Sequence, residues 1–217
     1  MLRKEYFSFA LVFAILIALT GNVRAVSSSS SSTSGQFSEA KVGQSAPQFD
    51  LLDTKGKTIK LSDNKGKYVV LEWFNQSCPF VKKHYESGNM QKLQKEYTGK
   101  GVIWLSICSS APGKPGNCTA AEYNEMFAAK NAAPSAILTD TNGVVGHLYG
   151  AKTTPAMYVI DPKGILIYAG AIDDIPGVDI TEISQAQNYV KAALDESMSG
   201  KPVKVSQTKS YGCSVKY

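Results

Sequence analysis

Apolar and polar positions change spacing along the chain and predict strands and helices in turn. Residues 68–74 form an apolar run interrupted only by Glu72, which is typical of a central strand buried on both faces. Residues 102–107 form a second such run. The intervening residues 79–97 have helical spacing, and Pro79 suits a first helical position. The order of strand, helix and strand predicts a βαβ unit.

Turn-forming residues divide the rest of the chain into shorter elements. Residues 46–51 and 58–61 alternate in hydrophobicity around a turn at 53–57, which predicts an N-terminal β-hairpin. Gly88-Asn89 is expected to kink or break the first helix. The remaining predicted elements are a helix from a capping box at Thr119 and Glu122 to about Lys130, a strand at 136–138, an antiparallel pair at 157–160 and 165–168, and a final helix whose apolar positions run from Ile183 to Leu194. Together they predict an α/β fold in which helices flank a central mixed sheet.

The first 25 residues predict a signal peptide that is cleaved on export. A basic start at Arg3 and Lys4 precedes an apolar run at 7–20, and small residues at 23–25 form a cleavage site. The run is shorter than the roughly 18 to 20 apolar residues that a membrane-spanning helix needs. We therefore expect a periplasmic or extracellular protein without stable membrane insertion after cleavage.

Behind the signal peptide, the sequence divides into three parts. Residues 26–39 are rich in serine and predict a flexible tether. Residues 40–198 are expected to form the folded domain, and residues 199–217 a C-terminal tail that carries Cys213.

Composition narrows the classes of function. With 217 residues, of which 43% are hydrophobic and 19% charged, the chain has the profile of one globular domain. A formal charge of +5 is too small to imply a nucleic-acid partner. The only arginines are Arg3 and Arg24, so cleavage after residue 25 leaves a mature protein without arginine.

Cys78 is the candidate nucleophile. It lies where the buried strand meets the helix, so its sulfur should face the unpaired N–H groups and the positive dipole end of the first turn, which favour a thiolate. Lys82 and Lys83 add positive charge nearby. The alternative is an inert buried cysteine that packs as a small apolar side chain.

These residues resemble the active-site strand and helix of the thioredoxin superfamily. The stretch from about Val42 to Glu196 resembles its peroxiredoxin-like redoxin branch, which is related to the AhpC/TSA and TlpA-like proteins. Four landmarks carry the resemblance in family order: Ala46-Pro47-Gln48-Phe49, the hairpin turn Asp53-Thr54-Lys55-Gly56-Lys57, the junction Trp73-Phe74-Asn75 with Cys78-Pro79, and Thr154-Pro155 before Met157-Tyr158-Val159-Ile160-Asp161.

The resemblance implies a thioredoxin-like fold and roles for three further residues. Pro155 would be cis and lie against the reactive sulfur, and Thr154 would present its backbone to a bound disulfide partner. Glu72 would move protons during thiol exchange. A lone acid in an apolar strand is independently expected to have a raised pKa, although hydrogen bonds from neighbours could simply satisfy it.

The sequence departs from both family patterns near Cys78. Val81 stands where an exchange site of the thioredoxin type carries its second cysteine, and Asn75 stands where peroxiredoxins carry threonine. The arginine that peroxiredoxins use to activate peroxide has no counterpart in the mature chain. Efficient peroxide reduction by the usual geometry is not expected, whereas slow one-Cys chemistry stays open.

Three other cysteines could take part in redox chemistry, because disulfides persist in the oxidising space outside the cytoplasm. A disulfide between Cys108 and Cys118, with a structural role, is favoured by the short intervening loop; an exchangeable pair is the alternative. Cys213 could resolve a disulfide formed at Cys78, or stay free, or form a static clip. Four cysteines allow three complete pairings, and spacing does not choose among them.

The leading functional hypothesis is an exported thiol oxidoreductase in which Cys78 attacks a disulfide or a peroxide, in thiol–disulfide exchange or an antioxidant role. Its partner would be a redox protein or a small disulfide or peroxide substrate, with no cofactor and no metal. A non-catalytic binding module that uses the groove at Pro155 is the alternative. A copper chaperone is less expected, because Cys78 has no nearby cysteine in sequence and the only histidines are His84 and His147.

Overall fold

The computed structural model describes residues 39–217. The predicted signal peptide at 1–25 lies outside the described residues, as does the predicted tether at 26–39 except for Glu39. Within the described part of the chain, no helix is long and apolar enough to cross a membrane.

Residues 39–217 contain nine short strands, which form two sheets. The strands are β1 (Asp50–Asp53), β2 (Thr58–Lys60), β3 (Val69–Trp73), β4 (Ile103–Cys108), β5 (Ala136–Thr139), β6 (Thr153–Thr154), β7 (Ala156–Ile160), β8 (Leu166–Gly170) and β9 (Cys213–Ser214). Seven of them form the central sheet in the order β2-β1-β5-β4-β3-β7-β8, while β6 and β9 pair separately. β3 is parallel to β4 and antiparallel to β7. The predicted mixed sheet with an N-terminal β1–β2 hairpin is confirmed.

Five α-helices accompany the sheet in the described part of the chain. They are α1 (Pro79–Glu86), α2 (Asn89–Gly99), α3 (Ala120–Ala129), α4 (Val144–Leu148) and α5 (Tyr189–Met198), with short 3-10 turns at Leu61–Asn64 and Ile180–Ser184. The break expected at Gly88-Asn89 separates α1 from α2, because Gly88 adopts the left-handed conformation at φ +75°. The capping box is present: the Glu122 amide donates to Thr119 Oγ1 at 3.3 Å, and the Thr119 amide donates to Glu122 Oε2 at 2.7 Å.

One prediction about helices was wrong, and one helix was missed. The final helix does not include Ile183, which lies in a 3-10 turn. The helix begins at Tyr189 because the Asn188 side chain caps it, accepting a hydrogen bond from the Lys191 amide at 2.8 Å. Helix α4 was not predicted, since its single turn is too short to show a helical period.

The core consists of two apolar clusters, one on each face of the sheet. Every residue of β3 is buried, as its apolar run predicts. Val70 belongs to the cluster that includes residues of α1, α2, α3 and α5. Leu71 belongs to the other cluster, to which α4 contributes. Glu72 therefore shares a face with Val70 and the active-site helix, because side chains alternate along a strand.

The capping box of α3 supports the first prediction. Replacing Thr119 with alanine removes the hydroxyl that accepts from the Glu122 amide, so the free energy of unfolding should fall by about 1 kcal/mol in urea denaturation. Thr119→Ser keeps a hydroxyl and should stay near the wild-type value. Equal losses in both variants would show that the cap does not stabilise the helix.

Candidate active site: two cysteines at a helix start

Cys78 occupies the N-cap of α1, directly before Pro79. The loop that joins β3 to α1 turns tightly here, since Asn75 Oδ1 accepts from the Ser77 amide at 2.8 Å and the Asn75 carbonyl accepts from the Cys78 amide at 3.0 Å. The Lys82 amide then donates to the Cys78 carbonyl at 2.9 Å and begins the helix. Cys78 is only 2% exposed. A substrate therefore reaches its sulfur only past the residues that cover it.

One of these covering segments is the turn at Thr154-Pro155. The peptide bond between them is cis, as the resemblance implies. The Thr154 carbonyl lies 3.1 Å from the Cys78 sulfur and accepts the proton of its thiol form. The Thr154 hydroxyl is buried without a hydrogen-bond partner among residues 39–217, and this side chain lowers the pKa of Cys78.

The second covering segment is the C-terminal tail. Strand β9 pairs antiparallel with β6 so that Cys213 lies opposite Thr154. This register brings the Cys213 thiol to the Cys78 sulfur. Cys213 is partly exposed, whereas Cys78 is buried. No cysteine is close to Cys78 along the chain, but Cys213, which is remote in sequence, lies beside it in the structure.

The two thiols differ in acidity. Burial raises the pKa of Cys78, but the Cys213 thiol, the Thr154 hydroxyl and the Val81 amide together lower it below the value of a free thiol. The Val81 amide lowers the pKa of Cys78 although the Cys78 side chain makes no capping hydrogen bond to α1. Burial and the neighbouring Cys78 raise the pKa of Cys213 to about 11. Cys78 is therefore the more acidic thiol of the pair, and Cys213 the less acidic one.

Glu72 is fully buried and accepts four hydrogen bonds. The donors are Tyr85 to Oε1 at 2.7 Å, and Ser106, Trp104 and Gln94 to Oε2 at 2.7, 2.8 and 3.2 Å. Burial raises the pKa of the carboxyl despite these donors. Within residues 39–217, no hydrogen bond joins Glu72 to Cys78. These contacts fit a carboxylate satisfied by its neighbours, and proton transfer by Glu72 stays a prediction.

Cys108 and Cys118 lie beside the same loop. Cys108 ends β4 and is buried, while Cys118 precedes α3 and is partly exposed; both are free thiols in this structure, as are Cys78 and Cys213. Gln76 Nε2 donates to Cys118 Sγ at 2.8 Å and to the Gly116 carbonyl at 3.1 Å. A disulfide between Cys108 and Cys118 stays a prediction. Cys118 is hydrogen-bonded to Gln76, which belongs to the loop before Cys78.

Both histidines contact neighbouring side chains. His84 is completely buried, and His147 stacks on Tyr217 with ring centroids 3.9 Å apart. Within residues 39–217, no group of three or more His, Cys, Asp or Glu residues could hold a metal ion. Sequence reasoning missed two polar residues near the tail, Asp173 and Tyr211. Tyr211 stands two residues before Cys213 in a tail without a periodic pattern, and no local pattern marks Asp173.

The fold and the site define a thioredoxin-like thiol protein, with a cysteine at a helix start against a cis-proline turn on a mixed sheet. Residues 42–169, more than half of the chain, match the AhpC/TSA family. The chain belongs to this family.

Known proteins similar to the chain include two bacterial relatives and a solved structure. The thioredoxin-like protein YneN of Bacillus subtilis is 33% identical over 57% of this chain and 68% of its own length. The thiol-disulfide oxidoreductase ResA of Bacillus cereus is 29% identical over 72% of this chain and 83% of its own. The crystal structure of the hypothetical protein SMc02350 from Sinorhizobium meliloti superposes with a TM-score of 0.70 at 26% identity, covering 82% of this chain and 96% of that one.

The acidity of Cys78 should depend on the Cys213 thiol. Replacing Cys213 with alanine removes a donor to the thiolate, so the midpoint of the pH dependence of Cys78 alkylation should move to higher pH. Cys213→Ser keeps an O–H donor and should move the midpoint less. The midpoint is the appropriate measurement because a change in access alters the rate and leaves the midpoint in place. Identical midpoints in both variants and the wild type would contradict the assignment.

Glu72→Gln separates the two roles considered for this residue. Glutamine places an NH2 donor where a carboxylate oxygen of Glu72 accepts, and the four neighbouring groups are donors themselves. The free energy of unfolding should therefore fall by about 1–3 kcal/mol. For the more exposed Glu96→Gln, the loss should be about 1 kcal/mol or less. Urea denaturation measures both. If Glu72 instead moves protons, the rate of thiol exchange at Cys78 falls while the stability is retained.

Proposed function

We propose that the protein is an exported thiol–disulfide oxidoreductase in which Cys78 and Cys213 cycle between a dithiol and a disulfide. The observation that supports this most directly is the β6–β9 pairing, which puts the tail cysteine at the sulfur of Cys78. Export rests on the signal peptide predicted at residues 1–25. The relationship to ResA, a thiol-disulfide oxidoreductase, supports the same reaction class.

The reaction proceeds in two exchanges. The Cys78 thiolate attacks one sulfur of a substrate disulfide, forms a mixed disulfide and releases the other substrate sulfur as a thiolate. Cys213 then loses its proton to the released thiolate and attacks the sulfur of Cys78. This step frees the second substrate thiolate and leaves a Cys78–Cys213 disulfide, so two electrons pass from the protein to the substrate. A partner dithiol reverses the sequence and restores the protein.

The proposal assigns supporting roles to the residues around the sulfurs. Thr154 and Pro155 shape the groove, and the Thr154 carbonyl and hydroxyl both face the Cys78 sulfur. Cys213 supplies the resolving thiol that Val81 does not. We favour a disulfide over a peroxide as substrate, because residues 26–217 contain no arginine to activate a peroxide.

Reaction with 2-hydroxyethyl disulfide, followed by acid quenching and peptide mass spectrometry without reduction, tests the proposal. The wild type should yield a disulfide between the peptides that contain Cys78 and Cys213. Cys213→Ser should stop at a mixed disulfide on Cys78, because the resolving thiol is missing. Cys118→Ser, which alters a thiol beside the same loop, is the matched control and should behave as the wild type. A Cys78 that never forms a mixed disulfide would favour the non-catalytic binding module.

A further inference from the structure

We infer that a partly buried chain of hydrogen bonds through Asn89, His84, Tyr211 and Asp173, here called the tail latch, positions Cys213 against Cys78. The inference rests on the proposed function and adds positioning residues to it. Tyr211 is separated from Cys213 by a single residue, and the latch holds its hydroxyl between α1 and the segment after β8. The latch therefore determines where the resolving thiol lies.

The direction of the hydrogen bonds follows from the protonation of His84. Burial lowers the pKa of His84 to about 3, so the ring is neutral and protonated on one nitrogen. The Asn89 amide donates to Nδ1 at 2.9 Å, which assigns the proton to Nε2. Nε2 then donates to the Tyr211 hydroxyl at 3.4 Å, and that hydroxyl donates to Asp173 Oδ1. All donors point toward one carboxylate.

Asp173 makes the Tyr211 hydroxyl hard to replace. The residue is 2% exposed, and its Oδ2 has no hydrogen-bond partner among residues 39–217. Its Oδ1 accepts from Tyr211 and from the Ile175 amide at 3.2 Å. Withdrawal of the tail would remove the Tyr211 hydrogen bond and leave the buried Asp173 carboxyl with fewer donors, which costs free energy. Asp173 therefore opposes withdrawal of the tail. The His84 Nε2 atom lies 3.9 Å from Asp173 Oδ2, too far to replace the lost hydrogen bond.

The link from Tyr211 to Cys213 has little freedom. A Cβ on Gly212 would lie 2.0 Å from the Thr154 carbonyl oxygen, so the tail backbone approaches Thr154 as closely as only glycine permits. On the other side, the Tyr211 ring packs edge-on against Phe80 with centroids 6.0 Å apart. Phe80 is two residues after Cys78. Both ends of the link therefore lie against the segments that hold the Cys78 sulfur.

Anchors outside the latch keep the rest of the tail in place. Ser210 Oγ bonds Thr153 Oγ1 at 2.8 Å, the Val215 amide donates to the Lys152 carbonyl at 3.0 Å, and the Tyr217 hydroxyl donates to the Ala151 carbonyl at 2.6 Å. Loss of the latch should therefore loosen Cys213 locally without releasing the whole tail.

Tyr211→Phe removes only the hydroxyl and keeps the ring against Phe80. The measurement is the effective concentration of Cys213 at Cys78, obtained by equilibrating the protein with glutathione and glutathione disulfide and mapping the Cys78–Cys213 disulfide. We expect this concentration to fall about tenfold, the scale of one lost hydrogen bond to a charged group. The pH midpoint of Cys78 alkylation should also rise. Tyr68→Phe, which removes a half-buried hydroxyl bonded to Ser197, should leave both readouts unchanged.

Asp173→Asn serves as the second variant and does not depend on the folding of Tyr211→Phe. Its amide oxygen still accepts from Tyr211 but carries no charge, so the effective concentration should fall less, by about threefold. A merely structural latch would lower thermal stability and leave both readouts at the wild-type value, which would overturn the inference. A wild-type protein that forms no Cys78–Cys213 disulfide would instead overturn the proposed function.

Discussion

The site depends on one close approach, that of the tail backbone to the Thr154 carbonyl. A Cβ at Gly212 would meet that oxygen at 2.0 Å, so glycine is required where the tail crosses the cis-proline turn. The approach allows β9 to pair with β6 and places Cys213 opposite Thr154. Burial of Cys78, its hydrogen-bond donors and the unequal acidity of the two thiols follow from this contact.

The unequal acidity has a consistent physical origin. Cys78 is more buried than Cys213, yet its pKa is lowered because donors converge on its sulfur from the tail, the Thr154 hydroxyl and the first turn of α1. Burial and the neighbouring Cys78 raise the pKa of Cys213 to about 11. This difference in acidity fits the proposed reaction, in which the helix cysteine attacks first and the tail cysteine second.

Local sequence patterns predicted the βαβ unit, the hairpins and the position of Cys78, because burial on a strand or a helix leaves a short repeat in the chain. They did not predict the start of α5, because that start is set by the side-chain cap of Asn188. They also did not predict the environment of Glu72, because its hydrogen-bond donors come from three other elements. A resolving role for Cys213 was one of three alternatives left open by the sequence. The register that places it at Cys78 depends on contacts such as Tyr211 with Asp173, which join distant parts of the chain and leave no periodic signal.

The segment that carries Cys118 completes the support of the site. It meets the active-site loop where Asn75 Nδ2 donates to the Pro115 carbonyl at 2.9 Å and Gln76 donates to Cys118. It also meets the tail, because the Ala111 amide donates to the Lys216 carbonyl at 2.7 Å. The loop before Cys78 and the tail after Cys213 are thus hydrogen-bonded to the same segment. The two sulfurs come from parts of the chain that are remote in sequence, and this shared segment connects the backbones that carry them.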